Sequence, residues 1–292
     1  MTNSPIDIKE FQGYTVYVKR DDLLDANFSG NKARKFYYFF KNEFSKVKKV
    51  VSYGSNQSNA MYSLSVLAKM KGWKFDYYVD HLPSYLEENP HGNYKYALEN
   101  GMQLHVGQDI FTPTKEEDTL FIEEGGRDFY AEFGLKILAE EIEVWREEQG
   151  IEELNIFLPS GTGTTALFLQ KAFVGMKATH STVYTVPCVG GVEYLKKQFL
   201  MLEKDEVFHP TIVTPSKKRH FGKLYRESYV MWLALQEKMG VEFDLLYDPH
   251  GWLTLLENPK LFDKPLLYIH QGGVIGNESM LMRYERKYGI IV

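Results

Sequence analysis

The order of elements along the chain is what most narrows its fold. Short runs of β-branched and aromatic residues alternate with longer amphipathic stretches, the pattern of parallel strands joined by crossover helices. Strands are predicted at 14–20 (YTVYVKR), 47–53, 73–80, 102–106, 153–159 and 182–188, and in the apolar run that opens 264–273. Helical apolar spacing predicts helices over 31–44, 57–72, 93–101, 133–150, 164–178 and 278–289. The class is therefore α/β. No repeat, Pro/Ser-rich linker or single-sign charge block divides the chain, so domain boundaries have to come from element order.

Composition removes several kinds of function. At 292 residues and 44% hydrophobic content the chain can fill two packed cores, since domains typically hold about 100–150 residues. Its 34 Lys and Arg against 39 Asp and Glu leave a net charge of −5. A nucleic-acid partner would instead call for a basic stripe. The single cysteine, Cys188, excludes an internal disulfide framework and any thiolate-built metal site, and it suits a reducing cytoplasm. The first residues lack the basic and apolar regions of a secretion signal, and no apolar run approaches the ~18 residues of a membrane span. The reading is a cytoplasmic protein with no membrane partner. The eight histidines never fall three to five apart, which leaves no local metal-ligand pair. Neither a Gly-x-Ser-x-Gly elbow nor a Walker sequence is present.

What remains is a set of polar, glycine-rich loops at strand ends, where a parallel sheet binds its ligand. In FSGNKARKF (28–36), Lys32 sits between a glycine turn and a helix start, where the helix dipole would lower its pKa and make it a nucleophile. The plainer reading is a solvated lysine in a basic cluster with Arg34 and Lys35. In YGSNQSNA (53–60), Ser55, Asn56, Ser58 and Asn59 crowd a helix amino terminus suited to a carboxylate; capping by Ser58 or Asn59 is the alternative. In LPSGTGTTALF (158–168), Ser160, Gly161, Thr162, Gly163 and Thr164 form a plausible phosphate cradle. The same residues satisfy the loose Gly-x-Gly-x-x-Ala dinucleotide pattern, but the next strand ends in VGG without the acidic residue a nicotinamide site needs. In IHQGGVIGNES (269–279), Gln271 is either a partner for a heteroaromatic ring nitrogen or an ordinary loop residue. A nucleophilic lysine, a phosphate cradle, a carboxylate loop and a ring-nitrogen partner are together what pyridoxal 5′-phosphate requires.

With those motifs in view, the chain resembles the pyridoxal-phosphate enzymes of the 1-aminocyclopropane-1-carboxylate deaminase and D-cysteine desulfhydrase family, of the tryptophan-synthase-β-like fold (fold type II). The likeness runs from about Tyr14 to Arg283 and is carried by KRDDL (19–23) with SGNKARKF, by NQSNA, by EEGGRDFYAEFGLKILAEEI (123–142) and by SGTGTTA. It implies that Lys32 forms the Schiff base, that Ser58 binds the substrate carboxylate or moves protons, and that Asn59 contacts the cofactor's 3′-oxygen. Gln57 and Asn59 join Ser58 as substrate contacts. It also implies two α/β domains, each with a largely parallel sheet flanked by helices. The smaller would span 36–126 and the larger 1–35 with 127–292. A homodimer acting on a small amino acid, with a 2-oxo acid and ammonia as products, completes the expectation.

Two departures stand out. After Asp248-Pro249 the family usually carries a tyrosine, but DPHGWLT puts Gly251 at the expected position, with Trp252 beside it as a pocket wall. Gln271 stands where a threonine is common. The alternatives are a nicotinamide-dependent oxidoreductase, resting on GTGTTA, and a catalytically altered member of the family that binds the cofactor or an amino acid, resting on the missing tyrosine.

Overall fold

The computed structural model describes residues 3–108, 117–178 and 180–289. The chain begins with a hairpin, β1 (Ile6–Phe11) and β2 (Tyr14–Arg20), closed over Gln12–Gly13 with Phe11 opposite Tyr14. A helix follows, α1 (Gly30–Lys41), and leads into a four-stranded parallel sheet. Its elements in chain order are β3 (Lys49–Tyr53), α2 (Asn59–Lys71), β4 (Lys74–Val79), α3 (Ser84–Glu88), α4 (Gly92–Glu99), β5 (Met102–Val106) and β6 (Thr119–Ile122). The strands lie in the order β5-β4-β3-β6.

The chain then returns to the first sheet through α5 (Ala131–Glu148), β7 (Leu154–Ser160), α6 (Thr164–Gly175), β8 (Ser181–Pro187), α7 (Val192–Leu202), β9 (Thr211–Ile212), α8 (Arg226–Met239), α9 (Asp248–Leu256), β10 (Leu266–His270) and α10 (Gly276–Tyr288). The six strands run β1-β2-β10-β7-β8-β9, all neighbours parallel except the β1–β2 hairpin. Strand β7 is central and every one of its seven residues is buried, as a parallel strand covered on both faces requires. Its alternation sorts the core: Phe157 and, on β10, Tyr268 face one apolar cluster with α8 and α9. Ile156, Leu158, Leu267 and Ile269 face another with α5 and α6. A third cluster joins α1 and α2 to the four-stranded sheet.

The α/β class and the parallel pairing hold, and so do the type and rough span of the elements expected from periodicity. Strands β1, β6 and β9 and helices α3, α7, α8 and α9 were not anticipated. The three strands are short or half-solvated and give little period-2 signal. Helix α9, however, opens on Asp248-Pro249, a start signature readable in the sequence. Among the described residues no helix is long and apolar enough to cross a membrane, and no group of three His, Cys, Asp or Glu could hold a metal ion. Because β2, β7, β8 and β10 are parallel, the loops that follow them, 21–29, 161–163, 188–191 and 271–275, emerge at one edge of the sheet.

Candidate active site

The last three of these loops, with the start of α1 and residues 55, 57–60 and 124–125 from the other sheet, line a cavity of about 370 Å³. Lys32 reaches it because α1 starts hard against the end of β10. Gly30 has φ +67 and a β-carbon there would run into the Gln271 carbonyl oxygen, so only glycine permits the approach. The Asn31 amide donates to that same carbonyl at 2.9 Å. Lys32 lines the cavity, and its one hydrogen bond among the described residues is a long one, 3.4 Å to Asn31 Oδ1. Burial lowers its pKa to about 8, with the Asp244 carboxylate pulling the other way. Burial is thus a physical cause that makes the amine available.

The solvated basic cluster is corrected. Arg34 is wholly buried, donating to both Glu141 oxygens at 2.7 Å and to Asp21 at 2.7 and 3.1 Å. Lys35 is also buried, lines the cavity and gives Nζ to the Gly125 carbonyl at 3.1 Å. Burial, then Lys32 and Arg127, push its pKa well below the ordinary lysine value. A second amine in this wall was not read from the sequence, although its spacing of three from Lys32 on a helix puts both on one face.

On the β7 side, Ser160, Gly161, Thr162 and Gly163 line the cavity, and no side chain caps α6, so its first N–H groups are left for an anion. Thr164 is the exception: it is fully buried, bonds Thr162 Oγ1 at 3.0 Å and lies outside the cavity wall, where Thr165 stands instead. On the α2 side, Ser55, Gln57, Ser58 and Asn59 face the cavity, whereas Asn56 turns away to the His81 carbonyl at 3.0 Å. Ser58 is the helix cap, its Oγ accepting from Ala60 and Met61 at 3.2 and 3.4 Å, with the Tyr77 hydroxyl beside it. The Gln57 amide nitrogen is held by the His91 carbonyl at 2.9 Å, and its buried Oε1 has no partner among the described residues. Gln271 lines the cavity with its amide spanning two elements, Nε2 donating to Pro159 at 2.7 Å and Oε1 accepting from Asn31 at 2.9 Å.

Trp252 does not wall the pocket. It is fully buried in the α9 core, stacked on Tyr268 at 4.6 Å and edge-on to Phe11 and Phe243. Gly251 faces the same core; a β-carbon there would lie 2.9 Å from the Tyr268 hydroxyl, so no tyrosine fits. A tyrosine comes instead from four residues earlier. Tyr247, immediately before α9, lines the cavity beside Gly161, packs on Phe221 at 5.2 Å, and its hydroxyl bonds no described residue. Burial raises its pKa. Two carboxylates that sequence reasoning missed complete the wall. Asp244 Oδ1 accepts from the Leu246 and Tyr247 amides at 2.8 and 2.6 Å; burial lifts its pKa to about 6. Asp248 accepts from the Tyr268 hydroxyl at 2.6 Å and the Asp244 amide at 2.9 Å, and burial raises its pKa much further.

A lysine, an uncapped helix start and a Ser/Asn loop line one cavity at the strand ends of two largely parallel sheets, a fold shared with solved deaminase and racemase structures. No protein-family model matches the chain. In sequence it is similar to a Pyrococcus furiosus protein provisionally named 1-aminocyclopropane-1-carboxylate deaminase, at 26% identity over 92% of this chain and 88% of the relative. In structure it is similar to a homologue of that deaminase, with a TM-score of 0.80 and 22% identity over 98% of this chain and 93% of the other. A T.th. threonine deaminase superposes with a TM-score of 0.67 and 15% identity, over 93% and 92%.

Proposed function

We propose that the protein is a pyridoxal 5′-phosphate-dependent deaminase or desulfhydrase of small amino acids, D-cysteine-like or 1-aminocyclopropane-1-carboxylate-like, releasing a 2-oxo acid and ammonia. The observation that carries this is the placement of the half-buried Lys32 amine in one cavity with the uncapped amino terminus of α6. The residues suit the cofactor: 370 Å³ is the size of a small-ligand site. The free amides and Thr162 of the 160–163 loop, with Lys35, are donors for a phosphate, and Asn59 and Gln271 are amides for the ring. When bound, pyridoxal phosphate supplies the electron sink that makes a carbon next to the amino group acidic.

The chain's own groups then divide the work. Lys32, with its pKa near 8, is the amine that holds the cofactor and later takes and returns a proton. Ser58 and Asn59, at the start of α2 in the cavity wall, hold the substrate carboxylate. Tyr247, its hydroxyl without a partner among the described residues, is the group in the cavity wall suited to give a proton to the leaving atom. A phenol in the cavity wall supports an active enzyme over the catalytically altered member that the absence of a tyrosine at 251 suggested. Division into a domain of 36–126 and one of 1–35 with 127–292, and a homodimeric cytoplasmic enzyme, belong to the same proposal; the two separate sheets support the division.

The test is the purified protein with pyridoxal phosphate. A borohydride-trappable chromophore that is lost in Lys32→Ala is expected. Keto-acid formation from D-cysteine, aminocyclopropane carboxylate or D- or L-serine then selects the substrate. No chromophore, or one that survives Lys32→Ala, would contradict the proposal.

A further inference from the structure

Asp244 is a buried carboxylate between Phe243 and Leu245, two core residues that have no use for a charge. Such a group persists only where its charge and lone pairs are taken up. Its two oxygens face different parts of the site. Oδ1 holds the backbone of Leu246 and Tyr247. Oδ2 faces the Asn59 amide across Gly273, where a β-carbon would lie 3.0 Å from the carboxylate and 2.5 Å from Asn59 Nδ2. Glycine at 273, with φ +88, is what lets the two meet. The Asn59 amide is oriented for this contact, because Asn93 donates to its oxygen at 2.7 Å.

The other charged groups around Lys32 are already engaged or, like Glu124 in the cavity wall, solvent-exposed. Asp22 is paired in a fork with Arg20 at 2.9 and 2.7 Å. Asp248 accepts from Tyr268 and the Asp244 amide. Glu124, beyond β6, is exposed. Lys35, on Lys32's own helix, repels a proton rather than holding one. Asp244 lines the same cavity as Lys32, and its charge is the one that acts on the amine.

We propose that Asp244 is the positioning carboxylate of the site: it sets Tyr247 through the backbone, aims the Asn59 amide, and holds a proton on the Lys32 nitrogen by its charge. The role rests on Lys32 being the reactive amine of the proposed function. One residue then ties the lysine, the asparagine loop and the tyrosine to a common point, so that three elements from distant parts of the chain arrive in register.

The first test needs no cofactor. Competitive acylation of the cofactor-free protein, read by mass spectrometry, gives the pH at which the Lys32 amine becomes reactive, near 8 in the wild type. Asp244→Asn keeps an acceptor for the Leu246 and Tyr247 amides but removes the charge, and should lower that midpoint by about one pH unit. An unchanged midpoint overturns the proposal. Coupling is reciprocal, so a second variant decides the matter if Asp244→Asn does not fold. In Lys32→Ala the Asp244 carboxyl, followed by carbon-13 NMR of labelled aspartate, should titrate above its wild-type value of about 6, and no shift overturns the proposal. If the protein binds no pyridoxal phosphate the proposed function fails, yet both titrations still answer for Asp244.

Discussion

Helix α1 carries basic side chains on two faces, and they are treated in opposite ways. Arg34 points into a closed ion network with Asp21 and Glu141, which Lys19 joins through Glu141 at 2.8 Å and Ser4 through Asp21 at 2.6 Å. Every donor there has an acceptor at short range. Lys32 and Lys35 face the cavity with one hydrogen bond apiece among the described residues, to Asn31 and to the Gly125 carbonyl, and burial lowers the pKa of both. Arg34 and Lys35 are both buried and Lys32 half-buried, so pairing more than burial separates structure from function here. Charges matched inside the protein fix an element in place, and charges left under-matched beside a cavity await a ligand.

The contrast can be broken by substitution. Arg34→Met should cost about 3–5 kcal/mol of stability, because it strands Asp21 and Glu141 in the core. The loss would show in the urea midpoint, with cofactor uptake by the remaining folded protein unchanged. If Arg34→Met were stable but blind to cofactor, the division between the two faces would fail. Tyr247→Phe should leave stability and cofactor spectrum intact and reduce keto-acid formation by about 10²–10⁴-fold, the usual size for a lost proton donor. Lys35→Met, which relieves a buried amine of its desolvation, should not lower stability. It should weaken pyridoxal-phosphate binding by roughly 10–100-fold in a fluorescence titration, the worth of one hydrogen bond to a charged group.

The smallest effect concerns pH. Lys32 has a folded pKa near 8, below its unfolded value, so the unfolded chain binds more protons between about 8 and 10.5. Its contribution therefore penalises folding at neutral pH and is relieved as pH rises through that window. Stability of the wild type should rise between pH 8 and 10 relative to Lys32→Ala. Parallel curves would mean that the amine is solvated.

Much of the site was legible because its signals are local. SGNKARKF, NQSNA and SGTGTTA each join a glycine or polar turn to a helix start, and all three loops do line one cavity. What escaped depends on which distant elements meet. Lys35 looked like a surface lysine because its burial comes from the loop at Gly125, 90 positions away. Asp244 and Tyr247 lie in an apolar stretch whose place beside the cavity is set by the packing of α8 and α9. Trp252 was misjudged because a helix turns its faces by about 100° per residue, and α9 carries that position into the core. In the fold, the long helices and central strands such as β7 were readable from periodicity, while four-residue β6 and two-residue β9 have too few residues to show any.

The most direct measurement is where the cofactor attaches. Borohydride reduction of the protein with pyridoxal phosphate, followed by peptide mapping, should place the pyridoxyl group on Lys32 and leave Lys35 unmodified. Attachment at Lys35, or at no lysine of α1, would contradict the account.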